Sequence, residues 1–360
     1  MRIVSSGFIY NSDLAVPEGK FACIPSLVML ADGAVLCSFK TGPAKISADD
    51  NVHIVRSVDG CKTWQTQFAG FDTNYGGIKG SVHSCYISEY RPGNLIASCC
   101  WVDRSNPDLP YANPQTGGIL PVKCLLTDSF DGGYTWDCFR QVNLRHHNAA
   151  IPSGRIVVLG NGNLAMPYEN WKQWDDIEGN YSSVVVLSKD CGKTWSWPIV
   201  FASDPFAERC FWDGKIAVNP ATGQLLAALW TLESQALKDM EIHIVWGSVD
   251  GRQWSDLSST GLCGQTTVPL FLDEKTVFLA YVRRDNGSIE AVLSDDMGKT
   301  WNVDETITLF KAPVLLQSNN IYGSFYGGPD AIRIAKDAIL VVFYAGDQTQ
   351  LSIYYSRIKF

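Results

Sequence analysis

Two carboxylates in this sequence are set among aromatic rings, and that combination of residue types is its first chemical signal. Glu169 directly follows the apolar run Leu164-Ala165-Met166-Pro167-Tyr168 and sits among Tyr168, Trp171 and Trp174. Burial against rings disfavours the ionised form, so such a carboxyl keeps its proton towards neutral pH and suits a general acid. Asp213 follows Phe211-Trp212, with Arg209 before it and Lys215 after it. A nearby cation would hold it ionised, the state that a nucleophilic or charge-stabilising role needs. A protonated acid beside an ionised partner is the division of labour used in glycoside cleavage. Trp171 can stack on a sugar face, although packing in a core would explain it equally well. Arg209, Arg283 and Arg284 offer guanidinium groups for an acidic substituent, a role that ordinary surface arginines do not need.

The elements that position these residues are announced by a repeat. Ser129-Phe130-Asp131-Gly132-Gly133-Tyr134-Thr135-Trp136 recurs at 57–64, 188–195, 248–254 and 294–301, always Ser-x-Asp, then glycine, then Trp. Each copy follows an apolar run of strand length, so each turn closes a β-hairpin. Serine and aspartate side chains accept bonds from nearby backbone N–H groups, and glycine takes positive φ. Asp59, Asp131, Asp190, Asp250 and Asp296 therefore read as turn residues, not catalysts. Cys61 replaces the second glycine of the first copy, and the fourth lacks the threonine before Trp254.

These repeats resemble the Asp-box, or bacterial neuraminidase repeat, of the sialidase superfamily, and the resemblance covers nearly the whole chain. It implies an all-β fold: one domain over residues 1–360, a six-bladed β-propeller of four-stranded blades. The boxes would lie on hairpins between third and fourth strands, away from the active site. Successive box serines are 72, 59, 60 and 46 residues apart, which fits blades of about 60 residues. Ser356 stands in the place of a box serine with no box after it, so the sixth blade is one strand short. Residues 1–10 are expected to supply that outer strand and close the ring.

In such a propeller the pocket is lined from the start of each first strand and the end of each second strand. First strands are expected at 23–30, from His83, at 156–159, 215–218, 267–272 and 331–334, with long loops at 40–50, 102–117, 170–180 and 232–239 on the pocket face. The stations hold Cys23, Lys40, Asp49 and Asp50, then His83, Asp103 and Arg104, then His146, His147 and Glu169. Glu208, Arg209, Asp213 and Glu233 follow, then Gln265, Arg283 and Arg284, and finally Tyr326 and Asp330. Glu169 or Asp50 is the expected acid. The resemblance implies a tyrosine nucleophile helped by a glutamate, for which Asp213 or Glu208 can stand in, and Asp213 with Tyr326 is placed on the nucleophile side. Lys40, His83, His147, Trp171, Arg209, Arg283 and Arg284 are the expected substrate-binding residues. A lone histidine is more often a satisfied hydrogen-bonding residue, but three on one rim point to function.

One departure stands out. Cys23-Ile24-Pro25 occupies the place of the family's Arg-Ile-Pro, whose arginine grips the carboxylate of sialic acid, and a thiol cannot replace a guanidinium fork. The expectation is an exo-acting glycoside hydrolase that is not a standard sialidase, with a polysaccharide lyase or a non-catalytic glycan-binding propeller as alternatives. Net charge is −8 with 18% charged residues and no basic cluster, which argues against nucleic acid or an anionic membrane as partner. The partner expected is a carbohydrate, with room for an acidic one. No CxxC pair marks a metal site, and no cofactor is implied. Eleven cysteines, most within apolar runs, read as reduced buried thiols. Together with an N-terminus lacking a signal-peptide core, they give a cytoplasmic expectation.

Overall fold

The computed structural model describes residues 1–177, 181–313 and 324–360. Six antiparallel sheets follow one another in sequence and form the blades of a propeller. Blade 1 is built from Cys23–Met29, Val35–Thr41, Asn51–Ser57 and Gln65–Phe68, and blade 2 from Gly80–Arg91, Asn94–Asp103, Val122–Ser129 and Arg140–Gln141. Blade 4 opens with Arg209–Val218 and Leu225–Glu233, and blade 5 with Gln265–Phe271 and Val277–Arg283. In blade 6 the order is Tyr326–Ala335, Ala338–Gly346, Leu351–Lys359, and then Arg2–Tyr10 as the outer strand. The N-terminal strand thus closes the ring, and Ser6 Oγ lies 3.1 Å from Oγ of the orphan box serine, Ser356.

Blade 3 differs from the expected pattern. Its first strand is split into Ala150–Pro152 and Val157–Val158, both paired with Leu164–Asn170, where one strand at 156–159 was expected. Pro152 and Gly154 break the ladder between them, which frees Arg155 to reach into the central channel. The loop expected at 170–180 is described only as far as Ile177; residues 178–180 lie outside the described residues.

Apolar side chains of adjoining blades fill six interfaces, and the boxes take part in five of them. Trp64, Trp136, Trp195, Trp254 and Trp301 each pack on the core shared with the preceding blade. Blade 6 has no box, and its interface with blade 5 is filled instead by Phe310, Phe343 and Tyr354. The tryptophans precede their fourth strands, Trp64 directly before Gln65–Phe68 and the others by four to six residues. Within a box the serine hydroxyl accepts the N–H of the second turn residue, as Gly133 to Ser129 at 2.8 Å, while Asp131 Oδ2 accepts the Thr135 hydroxyl at 2.6 Å. In four of the boxes two successive residues take positive φ, and Cys61 does so at 65°; the shorter box at 248–254 has only Gly251 there. The box hydrogen bonds offset the cost of that conformation for a side chain with a Cβ.

Candidate active site

The polar end of the ring is shaped by one recurring irregularity. Five of the six first strands slip register near their start: between Cys23 and Ser26, Val82 and Ser84, Trp212 and Lys215, Gln265 and Thr267, and Gly327 and Asp330. Bulges re-aim side chains, and here Ile24, His83, Asp213, Thr266 and Gly328 all line one cavity of about 210 Å³. Blade 3 adds Ile151, Pro152 and Glu169. Loops of the same face add Lys45, Ile46, Tyr111 and Trp171.

The floor is closed by charge. Arg155 Nη1 donates to the Leu27 carbonyl, and its Nη2 donates to Ala331 O at 3.1 Å and lies 3.5 Å from Asp330 Oδ1. Asp330 Oδ2 accepts the Leu27 N–H at 2.7 Å, and Lys215 Nζ donates to Pro329 O at 2.6 Å. These bonds tie blades 1, 3, 4 and 6 across the axis, so the cavity is a blind pocket.

On the wall of blades 3 and 4, Glu169 ends a second strand and Asp213 sits in a bulge at φ 52°. Glu169 Oε1 accepts the backbone N–H of Asp213, and its Oε2 accepts Trp171 Nε1–H at 2.6 Å. Burial and the Asp213 charge push the Glu169 carboxyl up to about 8. Burial raises Asp213 as well, against Lys215 and a 2.8 Å hydrogen bond from the Thr266 hydroxyl. Burial thus raises both carboxyls, and the Asp213 charge adds to the rise of Glu169.

Asp50 lies on the opposite side, behind the surface. Its carboxylate is fully buried, 2.7 Å from Lys40 Nζ and 3.4 Å from His83 Nδ1. Burial alone would raise it; Lys40 and His83 outweigh that and hold it below the usual carboxylate range. An acid cannot be kept protonated there, so Asp50 stands as the anion that fixes Lys40 and His83, both of which line the pocket. Cys23 is part of the same wall, and burial raises its thiol, so it presents a neutral group where a guanidinium was the comparison.

Several expected residues stand elsewhere. Tyr326 is buried between blades 5 and 6, its hydroxyl donating to Arg283 O at 3.3 Å and its ring 4.3 Å from the Arg284 guanidinium, because the bulge begins only after it. Arg284 is buried beneath, bonded to Gln265 Oε1 and Tyr326 O. Arg283 pairs with Asp285 and Arg209 with Asp204, both outside the pocket. His147 is hydrogen-bonded to Tyr168 Oη at 2.6 Å and lines a separate cavity with Asn143 and Arg145, so only His83 of the three histidines reaches the pocket. Asp49 pairs with Lys79 on the surface.

Tyr86, Tyr111 and Tyr344 line the pocket, and Tyr344 stands near the end of the second strand of blade 6. A Cβ on Gly327 or Gly328 would come within 3.0 or 3.3 Å of it, so two glycines make room for its ring. Lys45 Nζ, bonded to Ser324 O at 2.6 Å, lies 5.5 Å from the ring centre. Burial would raise this phenol, but Lys45 and Arg284 outweigh it and lower it. The signal that finds Tyr344 was present in the sequence: it ends the run 339–344, the same station that Glu169 occupies in blade 3.

No family model matches the chain. A sialidase of Clostridium perfringens is 26% identical over 211 residues, 52% of this chain and 51% of that protein, so the chain spans about half the length of the curated relative it matches. Among solved structures, a Dyadobacter fermentans protein of unknown function has a TM-score of 0.76 at 18% identity, with 99% of this chain and 98% of that one covered. A Hadza microbial sialidase has a TM-score of 0.73 at 15% identity, covering 98% and 68%. A Penicillium chrysogenum α-L-arabinanase complexed with arabinobiose has 0.65 at 15%, covering 100% and 99%.

Proposed function

We propose that this chain, a six-bladed Asp-box propeller of the sialidase-superfamily kind, is an exo-acting glycoside hydrolase that removes one terminal sugar from a glycan. The observation that carries the reading is the Glu169–Asp213 pair: two carboxyls raised by desolvation, joined through the Asp213 N–H on the wall of a blind pocket. Glu169, protonated near neutral pH, delivers its proton to the leaving oxygen. Asp213, kept polar by Thr266 and Lys215, supplies negative charge to the oxocarbenium-like transition state. Trp171 both donates to Glu169 and offers a ring face to the sugar. A closed floor favours a chain end over an internal segment. The neighbours named as sialidases and an arabinanase support a carbohydrate substrate, and Lys40 and Lys45 on the wall favour one with an acidic substituent.

A screen of glycans and aryl glycosides, read by mass spectrometry, tests this. Release of a single terminal sugar is expected. An unsaturated uronate product would mean a lyase, and binding without turnover a lectin-like propeller.

A further inference from the structure

Hydrolysis requires more than an acid, because the proton of the attacking water must also go somewhere. Glu169 and Asp213 come from neighbouring blades and touch through the Asp213 N–H, and in the hydrolase reading Glu169 carries the proton and Asp213 the charge. The proton serves the leaving group and the charge balances the sugar cation, so neither is left for water. His83, on blade 2, is arranged for that task. The register slip between Val82 and Ser84 turns it into the pocket, and its ring is clamped flat on Tyr111, centroids 4.9 Å apart at 6°. Nδ1 faces Asp50 Oδ2 at 3.4 Å, longer than a well-made hydrogen bond but on the correct side to hold the Nδ1–H tautomer. Asp50 is itself immobilised by Lys40 Nζ and by the Ser47 N–H at 3.1 Å. At that length Nδ1 completes no hydrogen bond of normal geometry, so the stack on Tyr111 and the Asp50 charge hold the ring, which lines the cavity.

We propose that His83 Nε2 is the general base that takes a proton from the water attacking the anomeric carbon, with Asp50 as its positioning residue. The proposal rests on the hydrolase reading above. In the step, the water oxygen bonds to the anomeric carbon as the bond to the leaving oxygen breaks. Glu169 gives its proton to that oxygen, and His83 receives one from water. The imidazolium then loses its proton to solvent and Glu169 regains one. A single displacement by water inverts the anomeric centre.

Burial lowers the His83 pKa, and Lys40 and Arg104 add to that while Asp50 opposes it. The working form therefore has neutral His83 and protonated Glu169, and activity falls below an acid limb set by His83 and above a limb near the Glu169 value of about 8.

The experiment uses the full chain and an aryl glycoside that the parent cleaves in the screen. Proton NMR of the first-formed sugar should show the inverted anomer. His83→Gln should lose about a hundredfold in kcat, lose the acid limb while keeping the alkaline one, and recover turnover with sodium azide, which needs no base, as an inverted glycosyl azide. Asp50→Asn should move the acid limb to lower pH. Retention of configuration, or His83→Gln with parental rate and an intact acid limb, overturns the proposal while leaving the hydrolase standing. A parent that cleaves no glycoside removes both.

Discussion

The two ends of this propeller treat the same functional group in opposite ways. At the box end, desolvation opposes ionisation of Asp131 and, less, of Asp190, but hydrogen bonds from a threonine hydroxyl, a serine hydroxyl and backbone N–H groups together outweigh it and pull both down to about 2. At the pocket end, Glu169 also accepts two N–H bonds, yet it is pushed up to about 8 because burial and a neighbouring carboxylate outweigh them. Donor bonds alone do not decide a carboxyl's state; they win where water shares the load and lose where it is excluded. The box end uses its ionised aspartates to hold turns, and the pocket end uses a retained proton for chemistry.

The largest expected effect lies at the pocket. Glu169→Gln and Asp213→Asn keep shape and remove the ionisable group, and each should lower turnover of the screened substrate by about a hundredfold or more with folding intact. Near-parental rates in both variants would end the contrast between the two ends. Sialosides come next. With a thiol at Cys23 in place of a gripping arginine, a fluorogenic sialoside should be hydrolysed on the order of a hundredfold more slowly than the best substrate; rapid release of the fluorophore would show that other cations do the work.

A structural change at the closing blade follows. Removing residues 1–10 strips the outer strand from blade 6, whose interface with blade 5 has no box tryptophan. Light scattering should then detect association through the bared edge, and the melting temperature should fall; a monomer with unchanged melting would mean that the strand does not close the ring.

The two ends should also respond to pH with opposite signs. The folded pKa of Glu169 is raised from 4.5 to about 8, so its stabilising proton is fully present below the unfolded value and is lost as pH rises towards 8. Glu169→Gln should remove that decline, seen as a flatter denaturation midpoint between pH 5 and 8. For Asp131 the folded value is depressed from 3.8 to about 2, so its stabilisation is present above the unfolded value and is lost as pH falls through that window. The smallest effect is at the box itself: Asp131→Ala should cost about 1 kcal/mol by denaturant titration, without altering activity per folded molecule. A loss of activity at constant stability would move the site to the wrong end.

How much of this was readable beforehand follows from how local each signal is. The boxes announced themselves because a turn is specified within eight residues, and the blade count followed from their spacing. Glu169 and Asp213 could be picked out because their aromatic neighbours in sequence are also neighbours in space: Trp171 bonds Glu169, and Trp212 stacks on Trp171 at 4.6 Å. Asp50 misled as an acid because its cations come from elsewhere, Lys40 from the adjoining strand and His83 from another blade. Tyr326, expected at the pocket, lies outside it because the register slip of its strand begins only after it, at Gly327-Gly328, and a slip leaves no composition signal.

The sequence by itself determined the ring: repeated turn chemistry, strand-length apolar runs and the orphan Ser356 specify blades, their order and the strand that completes them, since each depends on neighbours in the chain. Only the tertiary structure decided which charges meet. Arg155 crosses the channel because blade 3 breaks at Pro152, five bulges point five blades at one cavity, and the proton on Glu169 depends on Asp213 from the next blade. Ionisation depends on distance and on the exclusion of water, and both exist only once the ring has closed.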